Sequence, residues 1–425
     1  MSYKKYKLKD LVNNFSVRAR DYGGSEGLEF LGVSNDDGIV KSKSAAEHKG
    51  EEYKIIEKGC FAYNPYRVNI GSIAYHNDDV KGLISPAYVI FKTKPNSIKD
   101  NLLFKFLKSA EGLRQIRFHG RGTVRQALRF EDLCKIEISL PTFEEQEKLI
   151  SNIEKTEFES NLISSELTHQ LDLIKQMRQA FLREAMQGKL VKSTNTKKTG
   201  QQLLTKIKAE KIQLIADKKL KKEKELSPIS EDEIPFEIPE HWSWCRLGEM
   251  SINCDGARKP ISQTERQNKD KIYDYYGASG IIDKIDGYTH DGKFLLIGED
   301  GANLIAKSTP IAFIAEGKFW VNNHAHVLDF IDDITKIFMT YCLNTIDIKP
   351  FISGGFQPKL NQANLNLMQI PLPPLHEQEQ IVSKLEELMK FCDSLEQSIK
   401  ESQGYNEMLL QQVLRVALQG EVMTV

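Results

Sequence analysis

One phrase of the sequence occurs twice: Leu140-Pro-Thr-Phe-Glu-Glu-Gln-Glu147 returns 232 positions later as Leu372-Pro-Pro-Leu-His-Glu-Gln-Glu379. Each copy ends a short apolar run and opens a segment with helical periodicity. The same offset relates Ala185-Met-Gln-Gly188 to Ala417-Leu-Gln-Gly420, so the register holds along both helical segments. An internal repeat of this length indicates a tandem duplication, in which one chain joins two related halves.

The segment after each copy predicts a long helix. Residues 144–187 contain no proline or glycine, and at about 1.5 Å per residue they would extend roughly 65 Å. Residues 376–419 alternate steps of four and three, as in a coiled coil, until Gly404, where we expect a bend or weak point. The predicted seam residues are Leu149, Ile153, Ile163, Leu167, Ile174, Met177 and Phe181 in the first helix, and Ile381, Leu385, Leu388, Cys392, Leu395 and Ile399 in the second.

The length and composition allow several domains, and the net charge excludes a strong overall electrostatic field. The chain has 425 residues, of which 40% are hydrophobic and 28% charged, enough for two to four domains. Its net charge is −1, so any basic surface for a nucleic acid has to be local.

Cysteine usage and the apolar runs predict a cytoplasmic protein. The six cysteines include no C-x-x-C pair, which is typical of free thiols in a reducing compartment. No apolar run approaches 18 residues and the N-terminus has no apolar core, so we expect neither a membrane span nor a signal peptide.

The segments outside the long helices predict an α+β protein with two mixed α/β domains. Residues 1–143 contain strand-like runs at 28–33, 59–63, 71–74 and 88–92, and a helical pattern at 98–109. A second domain is expected at 236–375. Its opening, 242–249, parallels 6–10 with an offset of 239, so the domains differ by insertions. The two long-helix regions are placed at 144–190 and 376–425.

A basic segment joins the halves. Residues 192–225 carry eleven lysines against four acidic residues, with apolar residues between them. This composition favours a solvated basic helix as a linker, within the predicted linker region 191–235. Contact with phosphates or docking on a partner is the alternative.

The order of domains and helices resembles that of the specificity subunits of type I restriction–modification systems. Pro-x-x-x-Glu-Gln-Glu opens both helices, and the resemblance covers essentially the whole chain. Six further phrases support it: Phe61-Ala-Tyr-Asn-Pro-Tyr-Arg-Val-Asn-Ile-Gly71, Leu203-Leu-Thr-Lys-Ile-Lys-Ala-Glu-Lys211, Ile234-Pro-Phe-Glu-Ile-Pro-Glu-His-Trp242, Tyr276-Gly-Ala-Ser-Gly280, Leu296-Ile-Gly-Glu-Asp-Gly-Ala302 and Phe319-Trp-Val-Asn-Asn-His-Ala325.

The resemblance implies a non-catalytic subunit with two target recognition domains. Each domain would read one half of a split site in double-stranded DNA, and the two helices would pack as an antiparallel coiled coil with a pseudo-two-fold repeat. Two adenine methyltransferase subunits, and in some complexes restriction subunits, would be its partners. S-adenosylmethionine, ATP and Mg²⁺ would then be bound only by those partners. The sequence alone does not choose between parallel and antiparallel helices.

Candidate DNA contacts in the first domain follow from local composition. Asn64-Pro65-Tyr66 resembles a methyltransferase loop that clamps a flipped adenine, but it has one proline and no glycine-rich cofactor loop, so we expect a DNA-proximal loop. A basic run from 114 to 126 is interpreted as a second loop, because arginine forks suit guanine edges and phosphates. The candidates are Asn64, Arg67, Asn69, Arg114, Arg117, Arg121 and Arg125.

Candidates in the second domain are weaker. Residues 351–359 lie at the offset of the basic run and suggest a differently charged loop with Gln357 and Lys359. His324-Ala325-His326 lacks further ligands at metal spacing, so hydrogen-bonding histidines are expected, with His324 as a possible DNA contact. Loop charges at Arg258, Lys259 and Lys293 complete the set; solvated charges are the alternative for all of these loops.

No catalytic or nucleotide-binding motif fits the sequence. Neither glycine cluster, at 23–24 or 298–301, matches a dinucleotide or P-loop pattern. The remaining alternative function is a coiled-coil scaffold that binds proteins without recognising DNA.

Overall fold

A computed structural model of the chain describes residues 3–35, 37–42, 50–121, 127–193, 197–222 and 224–419. They form two compact units: Met1–His169 with Ile399–Val425, and Gln170–Ser398. Each unit therefore contains part of both long helices. Within the described ranges, every helix is too short or too polar to cross a membrane.

The first unit begins with short strands and helices. In chain order they are β1 (Lys4–Lys7), α1 (Leu8–Leu11), β2 (Val12–Asn14), β3 (Glu29–Ser34), β4 (Gly38–Lys41), β5 (Lys54–Ile56), β6 (Cys60–Tyr63), β7 (Ile73–His76), β8 (Gly82–Ile84), β9 (Val89–Thr93), α2 (Asp100–Lys108), α3 (Ala110–His119), α4 (Phe130–Leu133), β10 (Glu137–Leu140) and the long α5 (Phe143–Met186).

Two four-stranded sheets form the body of this unit, with orders β2-β9-β6-β7 and β4-β3-β8-β5. Strand β6 is buried along its whole length, and Phe61 stacks on Phe91 of β9 at 4.9 Å between ring centroids. The four predicted strands are confirmed with ends shifted by up to two residues, and α2 buries its predicted apolar face. The sequence did not reveal β4, β5 and β8, which have three or four residues each.

The second unit is organised around one larger sheet. After α5 come α6 (Gly200–Ala216), β11 (Ser243–Arg246), α7 (Leu247–Met250), β12 (Ile252–Asn253), α8 (Gln263–Gln267), β13 (Tyr273–Gly277), β14 (Gly280–Ile285), β15 (His290–Gly298), α9 (Asn303–Ala306), β16 (Ala312–Val321), β17 (Ala325–Asp329), α10 (Asp333–Thr345), α11 (Gln362–Leu367), β18 (Gln369–Leu372) and the long α12 (Leu375–Gln419). The sheet order is β12-β17-β15-β16-β13-β14, and α10 packs on β15 and β16.

The duplication is visible in a strand pair that precedes each long helix. Strand β1 pairs with β10 ahead of α5, and β11 pairs with β18 ahead of α12, both antiparallel. In the first unit Leu8 N donates to Ile136 O at 2.9 Å, and in the second Leu247 N donates to Met368 O at 2.9 Å. We call each strand pair with its following helix the frame. The two frames correspond, whereas the sheets between their strands differ.

The basic linker contains a helix that packs on the second unit. Thr199 caps α6, and Leu204 and Ile207 are buried in the core of that unit. Lys211 Nζ donates to the carbonyls of Gly248 and Ser251 at 2.8 and 2.7 Å. The described part of the linker is therefore anchored on one face rather than fully solvated.

The long helices begin one residue earlier than predicted, at Phe143 and Leu375. The seam prediction is wrong at Ile163, which is 47% exposed, and α12 continues without a break through Gly404. Seam residues predicted and found buried are Leu149, Ile153, Ile174, Ile381, Leu385 and Cys392.

The two long helices pair in an antiparallel direction inside each unit. In the first unit Asn406 Nδ2 donates to Ser160 O and Ser164 Oγ, both at 2.9 Å. Earlier residues of α5, around Leu149, share a core with the later residue Leu418 of α12. Residue numbers along α5 therefore fall as those of their contact partners on α12 rise, as in an antiparallel pair.

The second unit repeats this direction. Arg178 Nη2 of α5 lies 2.8 Å from Asp393 Oδ1 and 3.1 Å from Glu396 Oε2 of α12. Farther along α5, Ala185 shares a core with Ile381, which is earlier on α12. The antiparallel alternative is therefore the observed one.

The repeated phrase that opens the helices has a structural role. Glu145 Oε2 accepts hydrogen bonds from both N and Oγ1 of Thr142 at 3.1 Å, which closes the first turn of α5. In the second copy Glu377 is buried and its Oε2 lies 2.7 Å from His241 Nε2. Gln146 is also buried and accepts from Lys99 N at 2.9 Å. These side chains fix the start of each helix to its domain.

Leu385→Ala should destabilise the second unit by about 3 kcal/mol, because it opens a cavity at a fully buried position of α12. Phe391→Ala removes a larger side chain from the same helix, but Phe391 is 54% exposed, so we expect a loss below about 1 kcal/mol. All three tryptophans lie in the second unit, so urea unfolding followed by tryptophan fluorescence measures both. Equal losses would contradict the packing of α12.

Candidate nucleic-acid interface

In the first unit, predicted contact residues lie on a tight turn after β6. Asn64 Oδ1 accepts from Tyr66 N at 3.0 Å, and its carbonyl accepts from Arg67 N at 3.0 Å. This hydrogen bonding turns the side chains of Tyr66 and Arg67 outward, where both are exposed. Asn64 itself thus shapes the turn, while its neighbours present an aromatic ring and a guanidinium to solvent.

The end of α3 lies beside this turn. Arg117 Nε donates to Asn69 O at 3.2 Å, which joins two residues predicted separately. Arg121 exchanges backbone hydrogen bonds with Ala127, and its Nη2 lies 2.7 Å from Asp132 Oδ1. We define the first surface as Tyr66, Arg67, Asn69, Arg117 and Arg121. Its arginines are exposed, and the guanidinium groups of Arg117 and Arg121 contact a backbone carbonyl and a carboxylate, respectively.

The interpretation of 114–126 as one loop is wrong at its beginning, because α3 continues to His119. Arg114 forks onto Glu111 at 2.7 and 2.6 Å and lines a separate cleft with Lys5 and Lys7. It does not join the first surface. Arg125 lies outside the described residues.

In the second unit Arg258 is held by internal partners. Its guanidinium donates to Glu299 Oε2 at 2.6 Å and to Ala325 O at 2.8 Å, and Nη2 lies 3.2 Å from Asp255 Oδ2. The side chain is largely buried. Arg258 therefore connects three segments of the fold, and its contact with DNA stays a prediction.

Two other predicted residues meet at the same place. His324 Nδ1 lies 2.8 Å from Asp300 Oδ2, and Lys359 Nζ lies 3.1 Å from Glu299 Oε1. Burial alone would raise the pKa of Glu299, but the hydrogen bond from Arg258 and the charges around it hold that pKa below its ordinary value. The cluster contains the cationic side chains Arg258 and Lys359 against the carboxylates of Asp255, Glu299 and Asp300, so it suits recognition of polar groups better than attraction of phosphates.

The remaining predicted residues of the second unit, Gln357 and Lys259, lie outside this charged cluster. Gln357 is exposed on the loop after Gly354, next to the fully exposed Phe356. Gly354 has φ of 85°, and an added Cβ would lie 2.5 Å from Gln357 O, so the loop requires glycine there. Lys259 is exposed. We define the second surface as His324, Phe356, Gln357 and Lys359.

Lys293 was predicted as a loop charge, and this is wrong because it lies within β15, half-buried opposite Glu316. His326 is buried, with Nδ1 2.6 Å from Asp255 Oδ2 and Nε2 2.8 Å from Leu360 O, as expected for a hydrogen-bonding histidine. Among the described residues no group of histidine, cysteine and carboxylate side chains could hold a metal.

The predicted contacts omitted Phe356 and the carboxylates of the cluster, and they omitted Tyr66 although the sequence placed it in a DNA-proximal loop. Tyr66 and Phe356 carried a weak signal, since each is a large side chain flanked by turn-forming residues. Glu299 and Asp300 carried none that could be recognised without the fold. Their partners come from three other segments of the chain.

Arg258→Ala should lower the free energy of unfolding of the second unit by roughly 3 kcal/mol at pH 7, because Glu299 and Asp255 lose a buried positive partner. Both carboxyls have a lowered pKa in the folded unit, so their stabilisation is present above their ordinary range and is lost as the pH falls through the lowered values. Urea unfolding at pH 7 and pH 3 should show the difference shrinking in acid.

Lys359→Ala is the matched control, because its half-exposed side chain pairs with the same Glu299. We expect it to cost less than about 1 kcal/mol. A loss as large as that of Arg258→Ala would contradict the internal role of Arg258.

Comparison with known proteins shows the family to which the chain is similar. The family model described as "Type I restriction modification DNA specificity domain" matches residues 2–183 and 239–402, once in each half. The EcoEI specificity subunit of Escherichia coli is 28% identical over 251 residues, which cover 53% of this chain and 42% of the relative. The EcoDI specificity subunit of the same organism is 25% identical over 341 residues, covering 79% and 72%.

A solved structure, from a study of complex assembly and conformational transition of the type I R-M system, shares the fold. Its TM-score is 0.69 with 16% identity, and the likeness covers 99% of this chain and 98% of that one. The chain spans about two fifths of the length of the EcoEI relative in the matched region. Since the family model covers most of the chain in two matched segments, the chain belongs to the type I restriction-modification DNA specificity family.

Proposed function

We propose that this chain is the DNA specificity subunit of a type I restriction–modification complex. It binds a bipartite, asymmetric site in double-stranded DNA and directs adenine methylation, and restriction, by partner subunits. One observation carries the proposal: two corresponding frames hold two different globular inserts. A duplicated scaffold with divergent inserts is what recognition of two unlike half-sites requires.

The roles of the segments follow from their positions relative to the two frames. Residues 1–143 and 236–375 form the two target recognition domains, and 144–190 and 376–425 form the helical regions that connect them. Residues 191–235 link the halves. The chain contributes recognition and no catalysis.

The first and second surfaces supply the DNA contacts. Arg67 and Arg117 are exposed, and the hydrogen bond from Arg117 Nε to Asn69 O holds that guanidinium beside the turn, so both arginines can reach a phosphate or a guanine edge. Gln357 provides an amide that fits an adenine edge, and Phe356 beside it offers a ring for base contact. The two surfaces differ in charge, as two different half-sites would demand.

Partner subunits bind elsewhere on the chain. Both long helices expose large apolar side chains, including Phe158 and Leu162 on α5 and Phe391 and Leu409 on α12. Such residues suit docking of protein, and two adenine methyltransferase subunits would match the two-fold repeat. S-adenosylmethionine, ATP and Mg²⁺ reside on the partners, and the assembly works in the cytoplasm, to which the free cysteines are suited.

A scaffold that binds proteins only is the second candidate, and the same exposed apolar residues favour it. It would not need two different polar surfaces. Sequencing of methylated adenine in the host genome distinguishes the two functions.

Deletion of this chain should remove methylation at one bipartite motif, and exchange of residues 1–143 for another recognition domain should change only one half of that motif. Long-read methylome sequencing measures both results. A methylation pattern unchanged by deletion favours the scaffold, and a change in both halves after the exchange contradicts the assignment of one domain to each half.

Arg117→Ala should weaken DNA binding by the chain with its methyltransferase partner. The loss should be about 1–3 kcal/mol and specific to one base pair if Arg117 reads a base edge, or similar for all sequences with a shallower salt dependence if it contacts phosphate. Fluorescence anisotropy with labelled duplexes measures it. Arg20→Ala, another exposed arginine of the first unit that pairs with Glu52, is the control and should leave binding unchanged.

A further inference from the structure

The first unit has a charged cleft at the outer face of its β1–β10 strand pair. Its volume is about 690 Å³, and Phe106, Ile138 and Leu418 contribute apolar surface to its lining. Lys5 and Lys7 come from β1. Arg114, Lys135 and the exposed ring of Phe118 complete its rim. We call this site the basic cleft.

The second unit has a cleft of about 700 Å³ at the corresponding place in the repeat. Lining residues of the two clefts match at the offset of 232: Phe118 with Pro350, Glu137 with Gln369, and Leu418 with Met186. The two clefts are therefore versions of one feature of the frame. They differ in what forms the remaining wall.

In the second unit an acidic segment of the chain itself forms that wall. Glu233 accepts a forked pair of hydrogen bonds from Arg246 at 2.8 and 2.9 Å, and one from Gln369 Nε2 at 3.0 Å. Phe236 packs edge-on against Trp244, with ring centroids 5.0 Å apart. The hydrogen bond from Arg246 lowers the pKa of Glu233 to about 2. Carboxylate and aromatic ring together cover strand β11.

The corresponding strand of the first unit remains uncovered by the described residues. Lys7 takes the place of Arg246 in the strand pairing, and Glu137 that of Gln369. The side chains of Lys5 and Lys7 are 70% and 53% exposed, whereas that of Arg246 is 3% exposed. Both lysines face Glu137, at 2.6 and 4.0 Å, so one carboxylate serves two positive charges.

We propose that the basic cleft binds an extended acidic segment of a partner subunit, with the chemistry of Glu231–Phe236: consecutive carboxylates followed by apolar and aromatic side chains. The carboxylates would meet Lys5 and Lys7, as Glu233 meets Arg246. The apolar side chains would pack against Phe118. The cleft borders the first surface, since Lys135 and Arg121 both bind Asp132 Oδ1, but no residue of that surface lines it. The proposal does not rest on DNA recognition.

A protein segment fits this cleft better than a DNA backbone. Glu111 and Glu137 stand among its positive side chains and would repel a line of phosphates. The apolar side chains of its floor have no group that could hydrogen-bond to a phosphate. A peptide with consecutive carboxylates followed by apolar residues satisfies both parts, and residues 231–236 of the second unit are an example of such a segment in place.

The test uses a fluorescein-labelled peptide of residues 228–238 and the full chain. Anisotropy should show saturable binding that weakens with salt, and the double variant Lys5→Glu/Lys7→Glu should weaken it at least tenfold. Lys5→Glu alone should also weaken binding, whereas Lys4→Glu makes the same single charge reversal on the opposite face of the strand and should alter binding less than twofold. A peptide with Gln and Asn replacing its acidic residues should not bind.

Hydrogen–deuterium exchange locates the bound peptide. Protection is expected at 4–7, 110–119 and 135–139. Absence of saturable binding, protection at 243–246 instead, or equal effects of Lys4→Glu and the double variant would each overturn the proposal. Displacement of the peptide by duplex DNA would assign the cleft to phosphate, and a dimer of the chain abolished by Lys5→Glu/Lys7→Glu would assign it to a second copy; both outcomes also overturn it.

Discussion

The antiparallel strand pair at the base of each domain is the contact on which the rest of the structure depends. It joins the first strand of a domain to its last, and the last strand leads within three residues into a long helix. Since both ends of the domain are fixed at one point, the chain between them can change without moving the helix. This explains how one unit accommodates two four-stranded sheets and the other a six-stranded sheet.

Periodicity predicted the long helices to within one residue, because a buried seam imposes a strict pattern on every turn. The same pattern failed at Ile163. A sequence repeat shows which side chains share a helix face, but not how much of that face another element covers. Short strands such as β5 and β8 were missed for a related reason: three residues are too few to establish alternation, and pairing partners far along the chain define them.

The site was predictable where local chemistry decides it. Asn64 and Asn69 sit on a turn that their own sequence specifies, and the exposed arginines next to it follow from helix and turn geometry. Arg258 was not predictable, because Glu299 and Ala325 are 41 and 67 residues away and only the sheet brings them together. Lys293 failed likewise, since its strand is defined by pairing with β16. An arginine in a loop-like sequence can bind carboxylates inside the fold as readily as it can contact DNA.

The pairing of the two long helices is not symmetrical at one point. Asn406 of α12 is buried and donates to Ser160 and Ser164 of α5, but the position that corresponds to Asn406 in α5 is Ile174, and that of Ser160 in α12 is Cys392. If α5 instead paired with the α5 of another copy in this register, Ile174 would take the place of Asn406, and the Ser164 hydroxyl would lose its amide donor. A single buried amide therefore distinguishes α12 from α5 as the partner of α5.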